Sequence, residues 1–248
     1  MTDEISASAD ENLAVRYHME QLTFRQDGKS LGYCRRQFGD WSDPKKKAAV
    51  VLLFHGAGER GDNNWSQLVW GAKEITAYCE KTGIKALFLA PQCPAEKQWV
   101  DTPWDLTEHT MPAESESMKL AMAMLDSELA RPGIDLDRVY VTGISMGGYG
   151  TWDAISRRPE KFAAAFPVCG GVDVAQVGKF RHMPILIYHG DSDTTVPTVR
   201  SRNAAAALKA AGAENFRYVE VPDTGHDSWL AAYGNEANIA WLFAQKRK

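Results

Sequence analysis

The sequence predicts an α/β fold: a mainly parallel central sheet with helices on both faces and an N-terminal antiparallel hairpin. Three observations carry this. Short continuous apolar runs such as Ala48 to Phe54 recur along the chain, and such runs mark strands buried on both faces. Between them lie stretches with apolar residues at helical spacing, so strand and helix alternate, as in a parallel sheet covered on both sides. The third is residues 139–151, a β-branched apolar run that breaks at Gly143-Ile144-Ser145-Met146-Gly147 and continues into a helical pattern. Strand, sharp turn and helix with a serine at the turn make the G-x-S-x-G nucleophile elbow.

Taken in order, residues 1–14 are expected to be a frayed arm. Residues 17–24 and 31–38 read as strands joined at Asp27-Gly28, a hairpin turn signal. A loop follows over 39–47, then the buried strand 48–54, which runs into His55-Gly56-Ala57-Gly58-Glu59-Arg60-Gly61-Asp62. A helix is expected over 71–82, closed by Gly83, and a strand over 85–90, stopped by Pro91. The long loop 91–112 carries Trp99 and Trp104. Residues 113–130 have helical spacing (Met118, Ala121, Met122, Leu125, Leu129) and stop before Pro132-Gly133. The elbow strand and its helix reach Arg157. Strands are expected at 162–168, 184–188 and 216–221, with helices at 198–211 and from Trp229 to Ala244.

A chain of 248 residues suits one domain able to bury a sizeable core, here expected over residues 15–248. Net charge is −4 with both signs interspersed, so the basic patch of a nucleic-acid binder is missing. No apolar run approaches the ~18 residues of a membrane span. The first twelve residues are polar and acidic and carry no signal-peptide pattern. A cytoplasmic location is expected, or a secreted one if a leader has been removed. Cys34, Cys79, Cys93 and Cys169 are scattered without a C-x-x-C, as buried thiols in a reducing compartment would be. The six histidines show no ligand spacing, so neither metal nor other cofactor is expected.

In a parallel sheet, ligands sit outside the carboxyl ends of the strands. Loops after strands therefore supply the machinery. Glycine at 143 and 147 lets the elbow turn tightly, which exposes Ser145 beside a helix N-terminus where negative charge is favoured. A serine hydroxyl needs a base, and the base an orienting carboxylate. His226 is the one histidine in the loop after the final strand. Two carboxylates compete in the loop His189-Gly190-Asp191-Ser192-Asp193-Thr194-Thr195-Val196-Pro197. Asp191 sits where a side chain caps the turn; Asp193 projects further, with Val196-Pro197 behind it. His189 reads as structural, and His18, His109 and His182 lack supporting neighbours. For an oxyanion, the main-chain N–H of Met146 and that of Ala57 are the candidate donors. The Glu59-Arg60-Gly61-Asp62 run reads as a loop-fixing ion pair.

These stretches resemble a known family. Phe54 to Gly61, Gly143 to Trp152 and His189 to Pro197 are similar to the phospholipase/carboxylesterase branch of the α/β-hydrolases, more closely to its bacterial predicted-peptidase, feruloyl-esterase-like and polyhydroxybutyrate-depolymerase-like esterases. The resemblance covers about residues 48–244. It implies an α/β-hydrolase fold and a triad in which Asp193 matches the family acid of H-G-x-x-D-x-x-V-P. No large cap insertion is evident. Trp99 and Trp104, in the long loop leaving a strand's carboxyl end, are candidates for an aromatic substrate wall. Gln92 either bonds the substrate or fixes the loop. The expectation is a serine carboxylesterase acting through an acyl-enzyme on short-chain acyl or aryl esters, weighed against two rivals: a peptidase or amidase with the same triad, and a non-catalytic binding protein on this fold.

Overall fold

The computed structural model describes residues 12–43 and 45–247. The expected arm falls mostly outside them. Its described end is held: Asn12 accepts the Ala14 N–H and starts a one-turn helix, α1 (Leu13–Arg16), that buries Leu13 and Ala14. This turn and His18, at φ 51, delay the first strand to Glu20 rather than 17.

The remaining elements are β1 (Glu20–Gln26), β2 (Lys29–Phe38), β3 (Ala48–Phe54), α2 (Ala72–Thr82), β4 (Ala86–Pro91), α3 (Glu116–Leu129), β5 (Ile134–Ile144), α4 (Met146–Arg157), β6 (Ala164–Val168), β7 (Ile185–Gly190), α5 (Val199–Ala210), β8 (Phe216–Val221), α6 (Trp229–Gly234) and α7 (Glu236–Ala244). Short 3₁₀ turns punctuate the loops, among them Ala57–Glu59. The eight strands form one sheet in the order β1-β2-β4-β3-β5-β6-β7-β8. β1 pairs with β2 and β2 with β4 antiparallel; every pairing from β4 across to β8 is parallel.

Alternation along β3 divides the core. Val50, Leu52 and Phe54 face one cluster with Met118 and Leu125 of α3, Trp152 and Ile155 of α4, and Leu208 of α5. Val51 and Leu53 face the other, with Ile75 of α2, Tyr233 of α6 and Leu242 of α7. Period-two alternation on a strand buried on both sides is why the run reads as uniformly apolar. Local chemistry sets the ends. Ser115 accepts the Met118 N–H, so α3 starts at 116 rather than 113. The expected C-terminal helix is interrupted: Asn235, after the poor helix former Gly234, caps a new helix by accepting the Ala237 N–H. β7 runs two residues past its expected end, because His189 and Gly190 pair with Glu220 and Val221. The four cysteines are buried free thiols, and no helix among the described residues is long and apolar enough to cross a membrane.

Candidate active site

Ser145 stands between β5 and α4 at the carboxyl end of the sheet, with φ 52 and ψ −120. A serine holds this conformation only when its surroundings enforce it, at a cost of about 1–3 kcal/mol. Its N–H donates to Val168 O (3.0 Å), and its carbonyl accepts the Tyr149 N–H (3.1 Å). The approach is closest at Gly147, where a Cβ would lie 2.0 Å from Phe54 O and 2.7 Å from His55 O. The elbow is therefore pressed against the loop that leaves β3.

The loops after β7 and β8 bring the other expected residues to the serine. Ser145 Oγ lies 2.7 Å from His226 Nε2, and His226 Nδ1 lies 2.7 Å from Asp193 Oδ2. A carboxylate only accepts, so the imidazole proton sits on Nδ1 and Nε2 is left to accept from the hydroxyl. Asp193 is buried. Burial alone would raise its pKa, but hydrogen bonds from His189, His226 and the Val196 N–H outweigh it and hold the carboxyl well below its usual range. Its Oδ1 also accepts the Thr195 N–H at 2.9 Å. Asp191 turns elsewhere, accepting from Ser192 Oγ (2.8 Å) and the Thr224 N–H (3.3 Å), as a turn cap does.

His189 was legible only as structural. It is fully buried, with Nε2 2.9 Å from Val196 O and 3.2 Å from Asp193 Oδ2, and Nδ1 2.7 Å from Ser201 Oγ. Asp193 thus lies between two imidazoles. The sign of this was in the sequence, four residues ahead of the aspartate, but a strand-end histidine carries no mark of which way it faces.

Met146 opens α4 and Ala57 opens the 3₁₀ turn after β3. His55 fixes the peptide between them and the core. Its Nε2 accepts the Cys93 N–H (2.9 Å), so Nδ1 carries the proton and donates it to Gly56 O at 2.6 Å. Burial holds this histidine neutral, with a pKa lowered to about 4. In a trans peptide the carbonyl and the following N–H point opposite ways, so the bond leaves the Ala57 N–H facing away from His55.

Two expected substrate contacts have other roles. Trp99 is not a pocket wall: it is wholly buried, packs 4.8 Å from Phe54, and donates Nε1–H to His55 O at 3.1 Å, under the loop. Gln92 takes the loop-fixing role of the two expected for it: its Oε1 accepts the Asn64 N–H (2.7 Å), and its Nε2 donates to Glu59 O (3.0 Å) and Asn63 Oδ1 (2.9 Å). Nor does Arg60 pair with Glu59; its Nε donates to Ala57 O at 2.9 Å, while Glu59 Oε2 has no hydrogen-bond partner among the described residues. Trp104 stays on the active face, half-buried, its carbonyl accepting from Tyr149 OH at 3.1 Å. The ring beside the histidine is Trp229, edge-on at 5.4 Å from His226 and 5.6 Å from Trp70. Both rings sit in segments flanking the active face, but nothing in the sequence sets them above the other tryptophans.

Among the described residues, one group of potential metal ligands, Cys169, Asp193 and His226, has donor atoms within 4.8 Å of one another. Burial pushes the Cys169 thiol far up, and the other two are bonded to each other. The donor set fits a proton relay better than a divalent ion, which needs deprotonated, free ligands.

Residues 41–234 match the Phospholipase/Carboxylesterase family. The chain is 30% identical over 165 residues to the poly(3-hydroxyoctanoate) depolymerase of Pseudomonas fluorescens, covering 63% of this chain and 58% of that one. It is similar to the crystal structure of a thermostable esterase, with a TM-score of 0.83 and 33% identity over 92% of this chain and 63% of the other. An acylaminoacyl peptidase of Pyrococcus horikoshii shares the fold, at TM-score 0.68 and 14% identity over 90% of this chain and 40% of that one. The chain therefore spans less than two thirds of the length of these relatives.

Proposed function

Because the chain belongs to the phospholipase/carboxylesterase family of α/β-hydrolases, we propose that it is a serine carboxylesterase acting on short-chain acyl or aryl esters through an acyl-enzyme. The observation that carries this reading is the unbroken relay from Ser145 Oγ through His226 to Asp193, with both hydrogen bonds at 2.7 Å. Ser145 attacks the ester carbonyl while His226 Nε2 takes its proton. Asp193 keeps the other imidazole proton on Nδ1 and stabilises the imidazolium that forms. The N–H groups of Met146 and Ala57 hold the oxyanion, the first with the help of the α4 dipole. His226 then protonates the departing alkoxide and later deprotonates the water that clears the acyl group. We read residues 15–248 as one catalytic domain without a large cap, with Trp104, Trp229 and Trp70 offering apolar surface beside the serine.

Ser145→Ala should lower kcat for 4-nitrophenyl butyrate by roughly 10⁶-fold, the scale seen when a triad serine is removed, with melting unchanged. A fluorophosphonate should label the wild type and not the variant. A variant that keeps more than about a tenth of the activity would remove Ser145 as nucleophile. Turnover of the matched 4-nitroanilide at an equal or greater kcat/KM would replace esterase by amidase.

A further inference from the structure

Arg200 lies in the first turn of α5 and is only 2% exposed. Its Nη2 donates to His109 Nδ1 at 2.5 Å, and its guanidinium carbon sits 5.0 Å from the centre of the Tyr149 ring. Nε and Nη1 have no hydrogen-bond partner among the described residues. Burial works against the charged form, and the Tyr149 hydroxyl and, from further off, the Glu108 carboxylate favour it without cancelling that cost. Asp173, on the wall of the neighbouring cavity, commits its oxygens to the Met111 and Ala175 N–H groups and the Gln176 amide. An arginine cannot shed its proton to escape burial, and a buried charge without a partner is strongly disfavoured. This one also stands at the positive end of the α5 dipole. The burial is built in: a Cβ on Gly171 would lie 2.2 Å from Arg200 Nε, so the loop after β6 keeps bare backbone there.

What covers the guanidinium is a poor substitute for an anion. His109 is neutral, its pKa lowered to about 4 by burial and by Arg200 itself, and it offers a single nitrogen. It sits on the 103–112 segment, in which residues 105–108 are exposed. A cavity of about 570 Å³ opens beside it, lined by Glu108, His109, Val172, Asp173, Arg200 and Asn203 among others. The cavity lies on the carboxyl-end side of the sheet, against the loops that follow β4 and β6 and the start of α5. Tyr149, which carries the Arg200 contact, is one turn along α4 from Ser145, and its N–H donates to the Ser145 carbonyl. A larger cavity, about 650 Å³ around Phe162, Met183 and Pro184, lies at the opposite end of the strands, and its arginine, Arg247, is already paired with Asp137 at the surface.

We propose that Arg200 is an anion-recognition site of the active face, taking a carboxylate carried by the ester substrate and displacing His109 from the guanidinium. This rests on the esterase reading and narrows its substrate class to esters with a second, ionised group. A guanidinium with unused donors in a water-poor site is the group best shaped for a carboxylate.

Two matched pairs test it: 4-nitrophenyl butyrate against mono-4-nitrophenyl glutarate, with the charge on the acyl limb, and phenyl acetate against 4-acetoxybenzoate, with the charge on the leaving limb. The wild type should favour the charged member of one pair. Arg200→Gln should lower the charged-to-neutral ratio of kcat/KM about tenfold or more, the scale of one hydrogen bond to a charged group, and through KM. Asn203→Asp, at the exposed rim, sets a competing carboxylate in the cavity and should lower the same ratio without disturbing the core. Binding is read apart from hydrolysis. Glutarate should raise the melting temperature of the wild type, and glutaramide should not. If neutral esters turn over but neither charged ester is favoured and glutarate protects no better than glutaramide, the site is wrong and the esterase stands. If no ester turns over while glutarate still protects in an Arg200- or Asn203-dependent manner, the site stands and the esterase reading fails. Should Arg200→Gln not fold, Asn203→Asp and the glutarate comparison decide.

Discussion

Asp193 accepts from two main-chain N–H groups and lies against two imidazoles, more partners than orienting one histidine requires. Each of them favours the carboxylate, so the acid stays ionised despite its burial. An amide at this position keeps the shape but presents an N–H or a neutral oxygen to His226 Nδ1, and the imidazole no longer holds the tautomer that accepts from Ser145. Asp193→Asn should therefore lower kcat about 10⁴-fold, as the equivalent change does in a serine protease triad. Asp191→Asn, which keeps an oxygen for the Thr224 N–H, should leave kcat within a few fold and shift melting at most slightly. Measuring kcat and melting for both decides; the larger activity loss at Asp191 would exchange their roles. The two aspartates show where reading the sequence stops. That one of them faces the histidine was legible from the loop and the order of serine, acid and histidine. The residues alone kept both open, since a two-residue spacing in a loop, unlike a strand, sets no face; the turn-capping position of Asp191 and the rigid Val196-Pro197 behind Asp193 leaned towards Asp193, and the resemblance to a known motif added to that.

Elements were legible where their ends are written in local chemistry. Gly83, in the left-handed region at φ 63, closes α2 as expected, and the apolar runs of β3 and β4 fall within a residue of their expected spans. Tryptophans were not, because a position on a loop does not say which way a ring turns. Trp99 leaves the carboxyl end of β4 as a pocket residue would, yet it folds back under the loop after β3 and holds His55 by its carbonyl. Trp229, one residue into α6, stands beside His226 instead. The two elements should respond oppositely to truncation. Trp99→Ala leaves a large cavity and an unpaired carbonyl under the β3 loop, and should destabilise by about 3–5 kcal/mol. Trp229→Ala, half-exposed, should change the preference between aryl and alkyl esters with a much smaller loss of stability. Denaturant midpoints and kcat/KM for a phenyl and an ethyl ester of one acid separate them. An unchanged preference in Trp229→Ala, or a Trp99→Ala protein as stable as wild type, would undo the assignment.

For the whole molecule, buried neutral histidines set a limit on acid stability. His55 keeps a pKa of about 4 in the fold against 6.5 in the free chain, and His109 behaves alike in direction. Between those values the unfolded chain binds protons that the fold refuses, so stability must fall as pH drops from about 6.5 towards 4. For one fully buried site, that window amounts to on the order of 3 kcal/mol. Urea midpoints between pH 4 and 7 should show the slope, and His55→Gln should flatten it; a midpoint independent of pH in the wild type would show that His55 protonates freely in the fold. The class of fold, with its sheet, two helical faces and hairpin, was legible from the run of elements, but the order of strands was not, because pairing between distant segments leaves no local trace. That order has a consequence for a chain emerging from the ribosome. β3 is central, and the strands made after it add outward, β4 on one side and β5 to β8 in turn on the other. The first hairpin must wait for β4 before it has an edge to join. Ser145 is synthesised well before its proposed base, which arrives only at residue 226. While the 81 residues that separate them are made, the nascent chain would carry the proposed nucleophile without the group that deprotonates it, so reactivity would be switched on only once the last strand and the loop after it have docked.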